Sequence, residues 1–206
     1  MKAELIYPCN LVGYGRLLLI VVAVSVYISS GDPAARWVFL GCLVASLLLD
    51  LTDGFLARRY GHTGTFGVLL DLALDLVTHT IVWIASEWRF AVLLILLEWT
   101  AGVLSAVISV RSDTTWKQRF NTRGWAPIRY YFRRHQRNLL SAYSNIAHFL
   151  FPAALFLSLS NTWIYILTVP GLIVYETVTV VMILMYISER KRGIASSELE
   201  SELGDM

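Results

Sequence analysis

The sequence predicts an all-α membrane protein with six transmembrane helices and a short N-terminal interfacial segment. The chain has 206 residues, of which 56% are hydrophobic, and its mean hydropathy of +0.59 is too high for an ordinary soluble domain. Several apolar runs reach the length of about 20 residues that a helix needs to cross a hydrocarbon layer of ~30 Å. We expect spans at residues 11–30, 35–58, 65–86, 89–110, 139–159 and 162–187.

The two ends of the chain differ from the apolar spans. The N-terminal MKAELIYPCN mixes charge, tyrosine and proline, which is typical of a segment at the membrane interface. No convincing signal-peptide cleavage site follows it, so we expect the first span to act as its own insertion signal. Residues 191–206 change from basic to acidic and lack an apolar face. This pattern predicts a mobile cytoplasmic tail after a single domain over residues 1–190.

The basic residues near the ends of the spans predict an orientation. One side of a six-span chain carries Lys2, Arg58, Arg59, the loop after the fourth span and residues 190–192. The other side carries only Arg36 and Arg89. Because positively charged loops remain in the cytoplasm, we expect the first side to be cytoplasmic.

Four carboxylates interrupt the second and third apolar segments, namely Asp50, Asp53, Asp71 and Asp75. An unpaired ionised group inside a membrane costs at least about a few kcal/mol. The only basic residues in the same window are Arg58 and Arg59, so we expect bound divalent metal to compensate the remaining negative charge. Because the ligands are all oxygen atoms, Mg²⁺ or Mn²⁺ suits the site better than zinc.

The spacing of these carboxylates predicts where they point. In helices, Asp50 and Asp53 share one face at i and i+3, and Asp71 and Asp75 share one at i and i+4. The connecting RYGHTGT contains two glycines, as expected of a tight turn between antiparallel helices. The two acidic faces are therefore expected to meet across one helix pair. The alternative, carboxylates paired with buried arginines in an inert bundle, is disfavoured.

The whole stretch has the pattern D-x2-D-G-x2-A-R-x8-G-x3-D-x3-D, which resembles the signature of the CDP-alcohol phosphatidyltransferase family at every position. The residues that carry it are Asp50, Asp53, Gly54, Ala57, Arg58, Gly67, Asp71 and Asp75. The resemblance implies that family's fold and a metal-dependent transfer from a CDP-linked lipid, normally CDP-diacylglycerol, to an alcohol. Two ions are the recurring solution for such phosphoryl transfer.

The resemblance also implies a role for each signature residue. Asp50, Asp53 and Asp71 would ligate metal, while Asp75 would both contact metal and act as the catalytic general base. The CDP-lipid site would be lined by Asn10, Gly54, Ala57, Arg58 and Gly67. No cysteine or serine is placed as a second nucleophile, so direct attack by the alcohol is preferred over a covalent intermediate.

Asn10 joins this set because of a second resemblance. The segment NLVGYGR, from Asn10 to Arg16, is similar to the N-L-x-G-Y-x-R that opens the first span of eukaryotic phosphatidylinositol synthases. The residue types of Asn10 and Arg16 also allow structural roles. Asn10 would also serve as a helix N-cap, and Arg16 would also serve as an anchor at the membrane interface.

The loop from Arg111 to Asn138 holds eight of the seventeen lysine and arginine residues. One interpretation is a solvated loop that touches anionic lipid headgroups. The other is an electropositive wall that pairs with substrate phosphate. The segment Tyr130-Tyr131-x-x-Arg134, with Arg129 just before it, loosely resembles the R-x-Y-Y-x-x-R of phosphatidylinositol synthases. The candidate acceptor-binding or phosphate-binding residues are Arg111, Lys117, Arg129 and Arg134.

These flanking resemblances favour myo-inositol as the acceptor, giving phosphatidylinositol and CMP. Glycerol 3-phosphate is the second choice, because the basic loop suits a phosphorylated alcohol. A weakly catalytic relative that binds lipid in the membrane is an alternative of a different class, although its signature would be broken. Membrane lipids and a homodimer are expected as partners, without nucleic acid. The active site is expected to face the cytoplasm, at the endoplasmic reticulum in a eukaryote.

The remaining polar residues of the spans receive structural interpretations. His79 is interpreted as a packing histidine, and Glu98 either as a functional group or as a hydrogen-bonded structural carboxyl. Polar residues of the last two spans, including His148 and Glu176, are interpreted as hydrogen-bonding links between helices. Thr65 replaces a residue that is often basic in the family, and this replacement removes one possible contact to phosphate.

Overall fold

The computed structural model describes residues 4–30, 32–61, 64–111, 116–136 and 138–204. The side chains at 4, 53–55, 57, 58, 123, 135 and 190–204 lie outside the described set. Throughout the described residues the regular structure is helical. A single 3-10 turn at Glu4–Ile6 precedes α1 (Pro8–Ser29), α2 (Pro33–Tyr60), α3 (Thr65–Ala85), α4 (Ala91–Arg111), α5 (Trp116–Arg123), α6 (Ala126–Gln136), α7 (Leu139–Phe156) and α8 (Thr162–Gly204).

Six of these helices are long and apolar enough to cross a membrane. They confirm the predicted fold class and the number of spans. Each is at least the 18 residues that a bilayer crossing requires. The spanning segments are α1, Pro33–Thr52 of α2, α3, α4, α7 and Thr162–Glu189 of α8.

The region expected as one basic loop instead forms two helices, α5 and α6. Its aromatic residues explain why, because Phe120 and Phe132 stack with ring centres 5.5 Å apart and are buried in a cluster with Ile108 of α4 and Met182 of α8. Gly124 allows the turn between the two helices, since a Cβ there would lie 2.6 Å from the Phe120 carbonyl oxygen.

The backbone of α8 is helical through Gly204. The predicted tail over residues 191–206 therefore begins inside a helix. Its predicted mobility and cytoplasmic location remain predictions.

Helix α3 lies at the centre of the bundle, where it contacts α1, α2, α4 and α7. The core between α1, α2, α3 and α7 includes Ile20, Phe39, Leu74 and Phe149. Gly13 allows α1 to approach α3 closely, because a Cβ at that position would lie 2.8 Å from Leu70 Cδ2. This approach brings the polar residues of α1 against the acidic face of α3.

The turn between α2 and α3 is as short as the glycine-containing sequence predicts. Gly61 follows α2 with a φ of +67°, a left-handed conformation that glycine adopts without steric cost. Gly64 is the residue directly before α3, and its backbone is extended. The turn sets the C-terminal end of α2 beside the N-terminal half of α3.

Candidate active site

Three of the four predicted aspartates converge where α2 meets α3. Asp50 comes from α2, while Asp71 and Asp75 lie one turn apart on α3, and one carboxylate oxygen of each lies within 4.8 Å of the other two. The carboxyl groups of Asp50 and Asp71 are also within hydrogen-bonding range of each other. The predicted meeting of the two acidic faces is thus confirmed for these three residues. The side chain of Asp53 lies outside the described set.

A buried arginine from α1 joins the three carboxylates. Arg16 has no exposed side-chain surface, and its Nη1 donates to Oδ1 of Asp50 and of Asp71, both at 2.8 Å. Its Nη2 donates to Asp75 Oδ1 at 2.5 Å. The interpretation of Arg16 as an interface anchor is therefore wrong.

Arg16 also corrects the charge accounting made from the sequence. That accounting considered only Arg58 and Arg59, whereas the compensating guanidinium comes from a helix more than thirty residues away in sequence. The arginine pairing that the sequence disfavoured does occur. The three aspartates nevertheless keep side-chain exposures of 32–35% beside the buried guanidinium.

The donor set fits a divalent metal ion. Three carboxylates surround one guanidinium, so two negative charges remain if all three are ionised. A further cation beside them would favour the ionised form of all three carboxylates. Carboxylate oxygens that solvent reaches are the ligands that Mg²⁺ and Mn²⁺ prefer.

Two predicted CDP-lipid-binding residues meet beside the aspartates. Asn10 is only 3% exposed, and a Cβ added to Gly67 would lie 2.9 Å from Asn10 Oδ1. Asn10 is not the N-cap of α1, because Tyr7 holds that position and Pro8 begins the helix. Proline suits the first helical position because its φ is already helical and its missing N–H has no partner there.

The other signature residues continue along α2. The backbone of this helix includes Gly54, Ala57 and Arg58, while their side chains lie outside the described set. Their assignment to the CDP-lipid site remains a prediction.

The predicted basic residues lie at different distances from the acidic site. Lys117 of α5 is close enough for its charge to act on Asp71 and Asp75, and its ammonium lies 5.2 Å from the centre of the Trp116 ring. The others are exposed, and among the described residues no ion pair joins them to the aspartates. They are Arg111, Arg129 and Arg134.

The second tyrosine of the R-x-Y-Y-x-x-R segment has a packing role. Tyr131 of α6 is 1% exposed, and its hydroxyl lies 2.9 Å from the Ser144 hydroxyl of α7. Burial raises the pKa of the Tyr131 phenol, so the group is neutral at physiological pH. Here α6 is fixed to α7, and the arginines around Tyr131 remain exposed.

The fold and the site together define a multi-pass helical membrane protein with three clustered carboxylates at one end of its bundle. The chain belongs to the CDP-alcohol phosphatidyltransferase family, whose model matches residues 7–174. This match confirms the family resemblance drawn from the signature.

The curated relatives are similar over a smaller part of the chain. It is 36% identical over 70 residues to a CDP-diacylglycerol–inositol 3-phosphatidyltransferase of Drosophila melanogaster, covering 34% of this chain and 29% of that protein. Identity to CDP-diacylglycerol–inositol 3-phosphatidyltransferase 1 of Arabidopsis thaliana is 37% over 73 residues, covering 35% and 30%. The matched segment thus spans under a third of the length of these relatives. No solved structure matches the chain.

Proposed function

We propose that this protein transfers the phosphatidyl group of CDP-diacylglycerol to an alcohol, with myo-inositol the preferred acceptor. The convergence of Asp50, Asp71 and Asp75 on Arg16 is the observation that carries the proposal. Inositol is supported by the segment from Asn10 to Arg16 and by the printed activity of the similar Drosophila and Arabidopsis proteins.

The aspartates would hold the metal ions that this chemistry uses. Mg²⁺ or Mn²⁺ held by Asp50, Asp53, Asp71 and Asp75 would neutralise the charge of the diphosphate. Arg16 reduces the repulsion among three of these carboxylates and so keeps their oxygens close together. Lys117 adds a positive charge beside Asp71 and Asp75, where it is available to a phosphate oxygen.

The transfer itself is a single displacement at phosphorus. The hydroxyl oxygen of the alcohol forms a bond to the phosphorus that carries diacylglycerol. The anhydride bond from that phosphorus to the oxygen of CMP breaks, and CMP leaves with the bonding electrons. Asp75 takes the hydroxyl proton as general base, which requires its carboxylate to be ionised when the alcohol binds.

The location of the protein follows from its spans and its charges. The six apolar helices define a multi-pass integral membrane protein. We propose that the aspartates face the cytoplasm, since the basic helices α5 and α6 lie at the same end of the bundle. An endoplasmic reticulum location in a eukaryote and a homodimer are part of this proposal.

Lipid labelling by the purified protein in vesicles tests the proposed reaction. With CDP-diacylglycerol, Mn²⁺ and radiolabelled inositol, we expect labelled lipid and CMP from the wild type. Asp75→Asn should lower the rate by about 10²- to 10⁴-fold, the usual contribution of a general base. Asp32→Asn is the matched control, because Asp32 is exposed and caps the start of α2, where asparagine also caps.

The same assay separates the alternatives. Equal rates for wild type and Asp75→Asn would remove the base assignment. Faster labelling with glycerol 3-phosphate than with inositol would show that glycerol 3-phosphate is the preferred acceptor. Binding of CDP-diacylglycerol without transfer to any alcohol would indicate a lipid-binding relative.

A further inference from the structure

A second group of titratable side chains lies inside the bundle, apart from the aspartates. We call it the histidine cluster, and it consists of His79 of α3, Glu98 of α4, His148 of α7 and Glu176 of α8. His79 Nδ1 lies 2.5 Å from Glu98 Oε1, and His148 Nε2 lies 3.4 Å from Glu98 Oε2. His148 Nδ1 lies 3.2 Å from Glu176 Oε1. The proposed transfer reaction uses none of these residues.

The cluster is buried and contains polar atoms without partners. His79 is 7% exposed, Glu98 5% and His148 0%. Glu98 Oε2 and Glu176 Oε2 have no hydrogen-bond partner within the part of the chain that the structure describes, and the 3.2 Å contact of His148 Nδ1 with Glu176 Oε1 lacks hydrogen-bond geometry. Among the described residues, no lysine or arginine pairs with either glutamate. The glutamates face imidazoles instead, and the Tyr175 hydroxyl donates to Glu98 Oε1 at 2.8 Å. Two carboxylates inside a membrane bundle are costly and mark a functional site by default.

The neighbouring tryptophan shows which histidine nitrogen is free of a proton. The indole N–H of Trp83 donates to His148 Nε2 at 3.2 Å. Because an indole nitrogen only donates, His148 Nε2 carries a lone pair. In this tautomer Glu98 Oε2 faces a nitrogen lone pair at 3.4 Å, and a cation between these two atoms would relieve their repulsion.

The separation of His148 Nε2 from Glu98 Oε2 suits such a cation, whereas the 2.5 Å contact of His79 Nδ1 with Glu98 Oε1 is a hydrogen-bond distance that would lengthen on metal binding. One ligand atom each from His79, Glu98 and His148 lies within 4.8 Å of the other two. In a tetrahedral zinc site with bonds of ~2.0–2.2 Å, ligand atoms lie about 3.4 Å apart, which matches the separation of His148 Nε2 from Glu98 Oε2. Bundle interiors commonly build metal sites from side chains on facing helices.

We propose that His79, Glu98 and His148 bind a divalent transition-metal ion such as Zn²⁺, with Glu176 as a fourth ligand or charge partner. Two imidazoles and carboxylates favour zinc-like ions, whereas the all-oxygen aspartate site favours Mg²⁺ or Mn²⁺. The bound ion would tie α3 to α4, α7 and α8 one helical turn beyond Asp75. It would take the Nε2 lone pair that His148 now shares with Trp83.

Co²⁺ is the probe for this site, because tetrahedral Co²⁺ absorbs visible light. The full chain, purified in detergent and stripped with a chelator, is titrated with Co²⁺. We expect visible absorption that saturates at one equivalent and is lost on addition of Zn²⁺. His148→Gln should weaken binding by about 100-fold or more, since loss of even an outer-sphere partner costs 10- to 100-fold. Glu98→Gln serves as a second variant.

Two controls make the result specific to the histidine cluster. Thr78→Ala should bind Co²⁺ like the wild type, because Thr78 is buried beside His79 and its hydroxyl donates, among the described residues, to the Leu74 carbonyl oxygen alone. A double variant of Asp71→Asn and Asp75→Asn should also bind, so failure of the transfer reaction would not affect this test. No visible absorption from the wild type would overturn the proposal, as would unchanged absorption in folded His148→Gln or Glu98→Gln.

Discussion

Arg16 determines how one end of a membrane bundle accommodates three carboxylates. A single guanidinium with two terminal nitrogens contacts Asp50, Asp71 and Asp75 at 2.5–2.8 Å. Lysine has one ammonium and lacks this fixed fork of donors. The arginine thus holds the carboxylates together while leaving negative charge for a metal ion.

The replacement Arg16→Gln should destabilise the protein by about 3 kcal/mol, because it leaves carboxylates close together without their buried partner. For a chain of this size, that loss lowers the melting temperature by about 6–12 °C. Added Mg²⁺ should restore more stability to the variant than it adds to the wild type. Thermal unfolding in detergent measures both effects.

The exposed Arg89, whose guanidinium carbon lies 4.4 Å from the centre of the Phe90 ring, provides the control as Arg89→Gln. Equal melting temperatures for wild type and Arg16→Gln would show that Arg16 does not stabilise the acidic site.

At this scale the sequence predicts the aspartates and misses their partner. Helical spacing alone places Asp71 and Asp75 on one face of α3. The position of Arg16 depends on how α1 packs against α3, which local spacing does not specify. The available signal was an arginine inside an apolar span, which favours a role in the bundle interior.

At the scale of helices, the contact between α1 and α3 forms the wall of the site. Two small residues permit it, because Gly13 faces Leu70 and Gly67 faces Asn10. The start and end of α3 follow from glycine and apolar periodicity in the sequence. Helices α5 and α6 could not be predicted in this way. Their many basic residues hide the periodicity of the apolar residues Phe120, Ile128 and Phe132, which pack against α4 and α8.

Gly67→Ala should lower activity about tenfold, mainly by raising the KM for CDP-diacylglycerol, because the new methyl group would displace the side chain of Asn10. A loss of ~1.4 kcal/mol in substrate binding corresponds to that factor. Steady-state kinetics with the purified protein measures it.

Gly15→Ala is the matched control, since nothing lies within 4 Å of a Cβ at that position of α1. Alanine in a helix is otherwise stabilising relative to glycine. An unchanged KM in Gly67→Ala would contradict the assignment of this wall to the CDP-lipid site.

At the scale of the whole molecule, hydropathy was sufficient to predict the six membrane-spanning helices. Each span is a long apolar run, so its length alone predicts it. The histidine cluster could not be predicted in the same way. Its members lie on four helices at unrelated sequence separations, and each by itself fits an ordinary interhelical hydrogen bond. Only the packing of α3, α4, α7 and α8 brings them together.

The same packing separates two sites of different ligand chemistry along α3. The aspartates lie at the end of the bundle where α3 begins, and the histidine cluster lies one turn of α3 further into the bundle. A metal ion with oxygen preference is thus expected at the first site, which is the central claim of the proposed function.

Direct measurement of Mn²⁺ binding by electron paramagnetic resonance tests that claim. The account predicts saturable Mn²⁺ binding to the wild type, weaker by about tenfold or more in Asp71→Asn, and retained in His148→Gln. Undiminished Mn²⁺ binding in Asp71→Asn, or turnover that continues after complete removal of divalent ions, would contradict it.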